Sequence, residues 1–221
     1  MTTSPTPRRA GRPPRTSRAQ IVAAARKIID TEGWEKLTLR RLAAQLGIGT
    51  TTLYHHVRDR EDLLILLIND VVEQHPLSDV PTEPRDRIVA AATTMRDALA
   101  AAPWAAEVLA TDGFLARVGP GAITLVETIV AAATEYGCTH EQAVRVFRSL
   151  WYFTVGEIVV RTRTARRPKD FRFAALGDLD PATHPQLVAI GDELWQRVSA
   201  GDHYEESLRA FVDGLLAQAI G

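Results

Sequence analysis

The stretch TLRRLAAQLGIGTTTLYHHVRDRED, residues 38–62, decides how this chain reads. Leu39, Leu42, Ala43 and Leu46 recur at helical spacing, and Thr38 stands where a hydroxyl caps a first turn. Gly47 then supplies the residue type that leaves a helix through the left-handed region without a Cβ clash, while Ile48 offers an apolar plug beneath the turn. A second apolar pair, Leu53 and Val57, follows four residues apart, leaving Thr50, Thr51, Thr52, Tyr54, His55 and His56 facing outward. Two short helices joined by a Gly-centred turn predict a helix-turn-helix, whose second helix offers its first outward residues to base edges.

Upstream, Ser17 with Gln20 three residues on predicts a capping box, and Ile21, Ala24, Ala25 and Ile28 form one helical face. Gly33 stops that helix, and Trp34 and Leu37 are expected to pack under the helix-turn-helix. Residues 1–16 carry Pro5, Pro7, Pro13 and Pro14 among Arg8, Arg9, Arg12 and Arg15, the composition of a flexible basic arm. Such an arm reads either as a hook for a narrow minor groove or as a solvated tail. Downstream, Asp59 and Asp62 suit the start of a fourth helix running to about His75. Its run from Leu63 to Ile68 is apolar all the way round, so the helix should be buried and should connect two domains. The expected division is an arm over 1–16, a helix-turn-helix domain over 17–62 and a helical body over 63–221.

Beyond a linker at 76–84, the periodicity predicts helices over 85–101, 104–111, 122–136, 140–162, 185–198 and 203–220, and no strand. Pro84, Pro103 and Pro185 suit first turns, Gly137 a stop, and Thr139 with Gln142 and Asp202 with Glu205 suit capped starts. Residues 164–183 break the pattern and read as a long surface loop. The fold class expected is all-α.

Composition narrows the function classes. In 221 residues with 46% hydrophobic content there is enough apolar material for real cores. The net charge of -1 hides an asymmetry: residues 1–62 hold 12 of the 26 Lys/Arg against 6 of the 27 Asp/Glu, leaving 14 against 21 in the remainder. A basic end on an acidic body suits a protein that meets phosphates at one end only. Cys138 is the single cysteine, so no internal disulfide is possible. No signal-peptide core or membrane-length apolar run is visible, so a cytoplasmic address is expected.

The segment TLRRLAAQLGIGTTTLYHHVRDREDLL resembles the DNA-binding core of the TetR (tetracycline repressor) family. A weaker likeness returns in TLVETIVAAATEYGCTHEQAVRVFRSLWYFTVGE, which is similar to the paired helices carrying the dimer contact in tetracycline repressors. The resemblance implies that Arg40 reaches a base edge, where a guanidinium can bond both major-groove acceptors of guanine. It implies that Thr50, Thr51 and Thr52 face bases and that Tyr54, His55, His56 and Arg60 contact phosphates. Thr50 reads alternatively as a helix cap and Tyr54 as core.

Two amphipathic helices point to a homodimer: Phe147, Trp151, Val155 and Gly156 on one, and Leu208, Phe211, Val212, Leu215 and Leu216 on the other. The family resemblance implies a four-helix interface built from them on a two-fold axis. An apolar or amphipathic small-molecule effector is expected among Met95, Leu99, Trp104, Phe114, Leu115, Val118, Trp151 and Tyr152, residues that serve as well for ordinary core. Glu157 is the candidate polar anchor, because a carboxylate in an apolar helix needs a partner. Where tetracycline repressors hold a metal-drug complex, this chain has Pro76, Leu115 and Ala91, so a tetracycline-magnesium ligand is not expected. No cofactor or resident metal is expected.

A helical enzyme is the opposing class. None of the six histidines has a Glu three residues before it, and HExxH, GxSxG and a complete GxGxxG are absent. The remaining alternative is a DNA-binding regulator controlled by a protein partner instead of a small molecule.

Overall fold

The computed structural model describes residues 16–110, 117–165 and 176–220. Helix α1, Arg18–Glu32, opens on the capping box, with Gln20 N–H donating to Ser17 Oγ at 3.2 Å and Ser17 N–H donating to Gln20 Oε1 at 2.9 Å. A 3-10 turn over Trp34–Lys36 follows, and the buried Leu37 leads into α2, Leu39–Leu46. Thr38 Oγ1 accepts the Arg41 N–H at 3.2 Å, and Gly47, at φ 66, closes α2 in the left-handed region. The amide of Ile48 returns to the Ala43 carbonyl at 3.0 Å, which satisfies an end-of-helix acceptor. Helix α3, Thr50–Tyr54, is barely more than one turn and is anchored by the fully buried Leu53.

Asp59 Oδ1 accepts the Asp62 N–H at 2.7 Å and starts α4, Arg60–Glu73. Leu63, Leu64, Ile65, Leu67 and Ile68 are all buried, whereas Leu66 is half-buried on the side that also carries Asp62, Asn69, Asp70 and Glu73. The chain forms two compact units that divide between Leu67 and Ile68, so the boundary falls inside α4 and beyond the expected 62/63. Hydrophobic periodicity marks where helices begin, and it is blind to which unit a turn packs with.

The second unit contains α5 (Pro84–Ala101), α6 (Pro103–Leu109), α7 (Pro120–Tyr136), α8 (His140–Ala165), α9 (Pro185–Ala200) and α10 (Tyr204–Ile220). Prolines at the first turns of α5, α6, α7 and α9 carry no N–H where none is needed. Helix α5 is central. It packs along α7, α8 and α10, and its buried Ala91, Ala92 and Ala98 let neighbouring backbones come close. Helix α8 begins on the expected box, in which Thr139 N–H donates to Gln142 Oε1 at 2.7 Å. The Ala165 end of α8 lies inside the expected loop, and a 3-10 turn over Leu176–Asp178 lies near the loop's far end. The basic arm through Arg15, and Phe114 and Leu115, lie outside the described residues.

Burial corrects several residues expected at a dimer contact. Phe147, Leu208, Val212 and Leu216 are core of their own protomer, none more than 7% exposed. Both α8 and α10 are apolar on more than one side, and packing on α5 claims one side of each. Trp151, Val155, Phe211 and Leu215 remain half-buried, and Gly156 is exposed.

The core contains one conspicuous polar pair. The fully buried Thr154 hydroxyl lies 2.7 Å from the Tyr204 hydroxyl, and Tyr204 also reaches the Ala92 carbonyl at 3.4 Å, tying α8 and α10 to α5. Burial raises the Tyr204 phenol to about 12, so it stays neutral, and Phe153 stacks on its ring at 5.4 Å. Tyr204→Phe leaves Thr154 without this partner and should lower unfolding free energy by about 1–3 kcal/mol. Urea denaturation of the full chain measures it, and an unchanged midpoint would remove the pair from the stabilising interactions.

Candidate nucleic-acid interface and ligand cavity

In the helix-turn-helix the N-cap of α3 is Gly49, not Thr50, and no side chain caps the helix. Thr50, Thr51 and Thr52 are all exposed, so three hydroxyls and three methyls stand side by side at a helix start, while Leu53 pins the opposite side. Hydroxyls bond bases or phosphates, and threonine methyls pack on thymine methyls. Arg40, His55 and His56 are also exposed. Tyr54 is 56% exposed, which rules out the core alternative. Neighbouring Arg41 is committed to an ion pair with Glu32.

Arg60 departs from the expectation of a phosphate contact. Its Nε donates to the Leu37 carbonyl at 2.8 Å and its Nη2 to the Trp34 carbonyl at 2.9 Å, with the guanidinium 5.1 Å from the centroid of the Trp34 ring. A half-buried guanidinium so engaged clasps the first turn of α4 to the segment entering α2. An exposed cation beside it is Arg58, its side chain 84% exposed and paired with Asp62 at 2.6 Å, a surface pair that a phosphate can displace. Sequence reasoning passed over Arg58, because the two arginines differ only in which one meets the carbonyls of the 3-10 turn.

In the second unit, α4, α5, α6, α7 and α8 surround a cavity of about 50 Å³ whose lining is wholly apolar. Of the expected effector residues, Met95, Leu99, Val118 and Trp151 line it, joined by Phe147, Val71 and Val72. Trp104 is half-buried and outside the lining. Tyr152 and Glu157 are not brought to it. Tyr152 is 57% exposed on the opposite side of α8, its hydroxyl accepting from Arg148. One helical step of 100° separates it from Trp151.

Glu157 faces an open groove with Tyr204 and His203. Arg161 approaches its carboxylate at ion-pair range, off the angle of a hydrogen bond, and the side chain is 16% exposed. The partner that a carboxylate in an apolar helix requires is therefore a neighbouring cation. Among the described residues no three His, Cys, Asp or Glu are grouped to hold a metal ion, and no helix is long and apolar enough to cross a membrane.

The family model for bacterial regulatory proteins of the tetR family matches residues 21–67, and that for the tetracyclin repressor-like C-terminal domain matches residues 80–219. An HTH-type transcriptional regulator of Saccharopolyspora erythraea is 25% identical over 211 residues, spanning 93% of this chain and 87% of that one. Tetracycline repressor protein class E of Escherichia coli is 25% identical over 211 residues, spanning 92% of each. Among solved structures, the TetR family protein ActR of Streptomyces coelicolor, in complex with (S)-DNPA, superposes with a TM-score of 0.72. It is 24% identical and covers 93% of this chain and 99% of that chain, a likeness of fold.

The two arginines flanking Asp59 should separate in a salt titration of DNA binding. Arg58→Ala should flatten the log–log slope by about 1, as loss of one phosphate contact does. Arg60→Ala should weaken binding with the slope unchanged, because its guanidinium is turned inward onto two backbone carbonyls and the Trp34 ring. A flattened slope for Arg60→Ala would restore it as a phosphate contact.

Proposed function

The chain belongs to the tetR family of bacterial regulatory proteins, and on that footing we propose that it represses transcription by holding a near-palindromic operator as a homodimer. An apolar or amphipathic small molecule entering the body releases it. What carries the reading is the start of α3, where Thr50, Thr51 and Thr52 are exposed and uncapped on a helix held from behind by Leu53. A helix start of this kind enters a major groove, and one such head per chain needs a second copy to read two half-sites. Operator binding puts its action in the cytoplasm.

Exposed apolar surface supports the homodimer. Val144, Tyr152 and Val160 of α8 are exposed, and α9 buries none of its residues although it carries Leu194, Trp195 and Val198. A helix of that composition needs cover from another chain. A partner's α8 and α10 would lie along Gly156 and Gly214, each with open space where a Cβ would stand. Residues Trp151, Val155, Phe211 and Leu215 supply the flanking contacts.

Small-molecule control is supported by the apolar cavity, walled in part by Ile68, Val71 and Val72 of α4, the helix whose first turn Arg60 clasps. A ligand shifts a two-state equilibrium only by its differential affinity, and moving it from roughly 1:99 to 99:1 takes about 5.5 kcal/mol. Bound heads must stand about 34–36 Å apart, or a multiple of that, to enter grooves on one face of the duplex. A ligand that favours another arrangement therefore costs operator affinity. Among the described residues the lining holds no polar group for a metal-chelated drug, which directs the search to apolar compounds.

Thr51→Ala or Thr52→Ala should weaken the operator more than random duplex, by roughly 1–3 kcal/mol. Footprinting on the DNA upstream of the protein's own gene, followed by titration, measures both, and equal losses would sink base reading by α3. For the dimer, an added Cβ at Gly156 or Gly214 has nothing within 4 Å in the protomer, so Gly156→Arg or Gly214→Arg should give a folded monomer in sedimentation. A dimer of undiminished strength would place the interface elsewhere.

A further inference from the structure

Helix α4 meets the start of α7 at a seam with no slack. The Gly119 N–H donates to Asn69 Oδ1 at 2.7 Å, and Gly119 is the N-cap of α7. In a capping box, the N3 side chain accepts the N-cap amide. Here N3 is Ala122, which has no acceptor to offer, so Asn69 performs the task from the neighbouring helix. The approach is tight: a Cβ on Gly119 would lie 3.0 Å from atoms of the Asn69 side chain, and one on Gly121 would lie 3.1 Å from Val72 Cγ1.

The same turns wall the cavity, with Val71 and Val72 on the α4 side and Val118 and Ala122 on the α7 side. At about 50 Å³ the cavity is far below the roughly 300–1,000 Å³ of a site for a drug-sized ligand. Any organic molecule must push its walls apart. Against α5, α7 packs along much of its length, whereas it meets α4 only around its first turn, where the Gly119–Asn69 hydrogen bond lies. The second seam is the weaker one, and it borders the cavity.

We propose that the Asn69–Gly119 hydrogen bond is the latch that cavity filling opens, with Asn69 the positioning residue that holds α4 against α7 in the operator-binding state. This rests on the cavity being the effector site. A contact present in one of two states acts on both ligands reciprocally: removing it lowers operator affinity and raises cavity affinity by comparable factors.

The test uses the full-length protein, its upstream DNA and N-phenyl-1-naphthylamine, a neutral apolar fluorophore, as the cavity probe. Asn69→Ala should weaken operator binding and tighten probe binding, each roughly three- to tenfold, the worth of one net hydrogen bond. Asn69→Asp retains an acceptor and should stay near wild type in both. If Asn69→Ala does not fold, Gly119→Ala wedges the same seam and should move both affinities in the same directions. Ala122→Met fills the cavity mouth and should block the probe. Weaker operator binding with unchanged or weaker probe binding would make Asn69 an ordinary packing residue and overturn the latch alone. A probe that Ala122→Met does not block would overturn the cavity reading, and the latch with it.

Discussion

A helix that is apolar over most of its circumference has no stable place at a surface, and α4 is such a helix over residues 63–68. Leu63, Leu64, Ile65, Leu67 and Ile68 are buried and Leu66 is half-buried, and the unit boundary runs between Leu67 and Ile68. Its position must then be set by polar contacts near its ends, because apolar packing is non-directional. Arg60 does this at the start, through two backbone carbonyls and the Trp34 ring, and Asn69 does it later, through the Gly119 amide. Both bonds join a side chain of α4 to a backbone group, so their geometry is fixed by the neighbouring element and not by a second flexible side chain.

The head and the body use different physics for different ends. In the head, α3 is too short to hold itself as a helix, and its shape comes from Leu53, the Gly47 turn and the neighbouring α2. A helix held from behind in this way fixes the positions of the outward threonines. In the body, α5 packs closely through its alanines, and the small apolar cavity is a packing defect beside that dense core. Close-packed interiors transmit a change of volume instead of absorbing it.

Charge follows the same division. Arg96 lies over the Tyr204 ring and bonds Asp202 at 2.7 Å, Arg161 pairs with Asp202 at 3.6 Å, and Arg85 bonds Asp213 at 2.8 Å. The Arg96 guanidinium, through its hydrogen bond, holds the Asp202 carboxyl below its ordinary range. Much of the body's charge is thus engaged in ties between α5, α8 and α10. In the head, Arg40 is exposed near the start of α2.

Residues near one another in sequence were legible without a structure. The Ser17 and Thr139 boxes, the Thr38 cap, the Gly47 stop, the Asp59 start and the proline-led helices depend on bonds that span no more than five residues, and each appears as read. The outward threonines of α3 were legible for the same reason, since Leu53 and Val57 fix its inner side. Tertiary structure alone decided what depends on which helix lies across from which. It turned Phe147, Leu208, Val212 and Leu216 into protomer core, set Trp151 on the cavity and Tyr152 away from it, and paired Glu157 with Arg161. It also gave Arg60 to two carbonyls more than twenty residues upstream and left Arg58 outside. A helix apolar on several sides does not encode which side is covered by its own chain, because burial free energy depends on area removed from water and not on the identity of the neighbour.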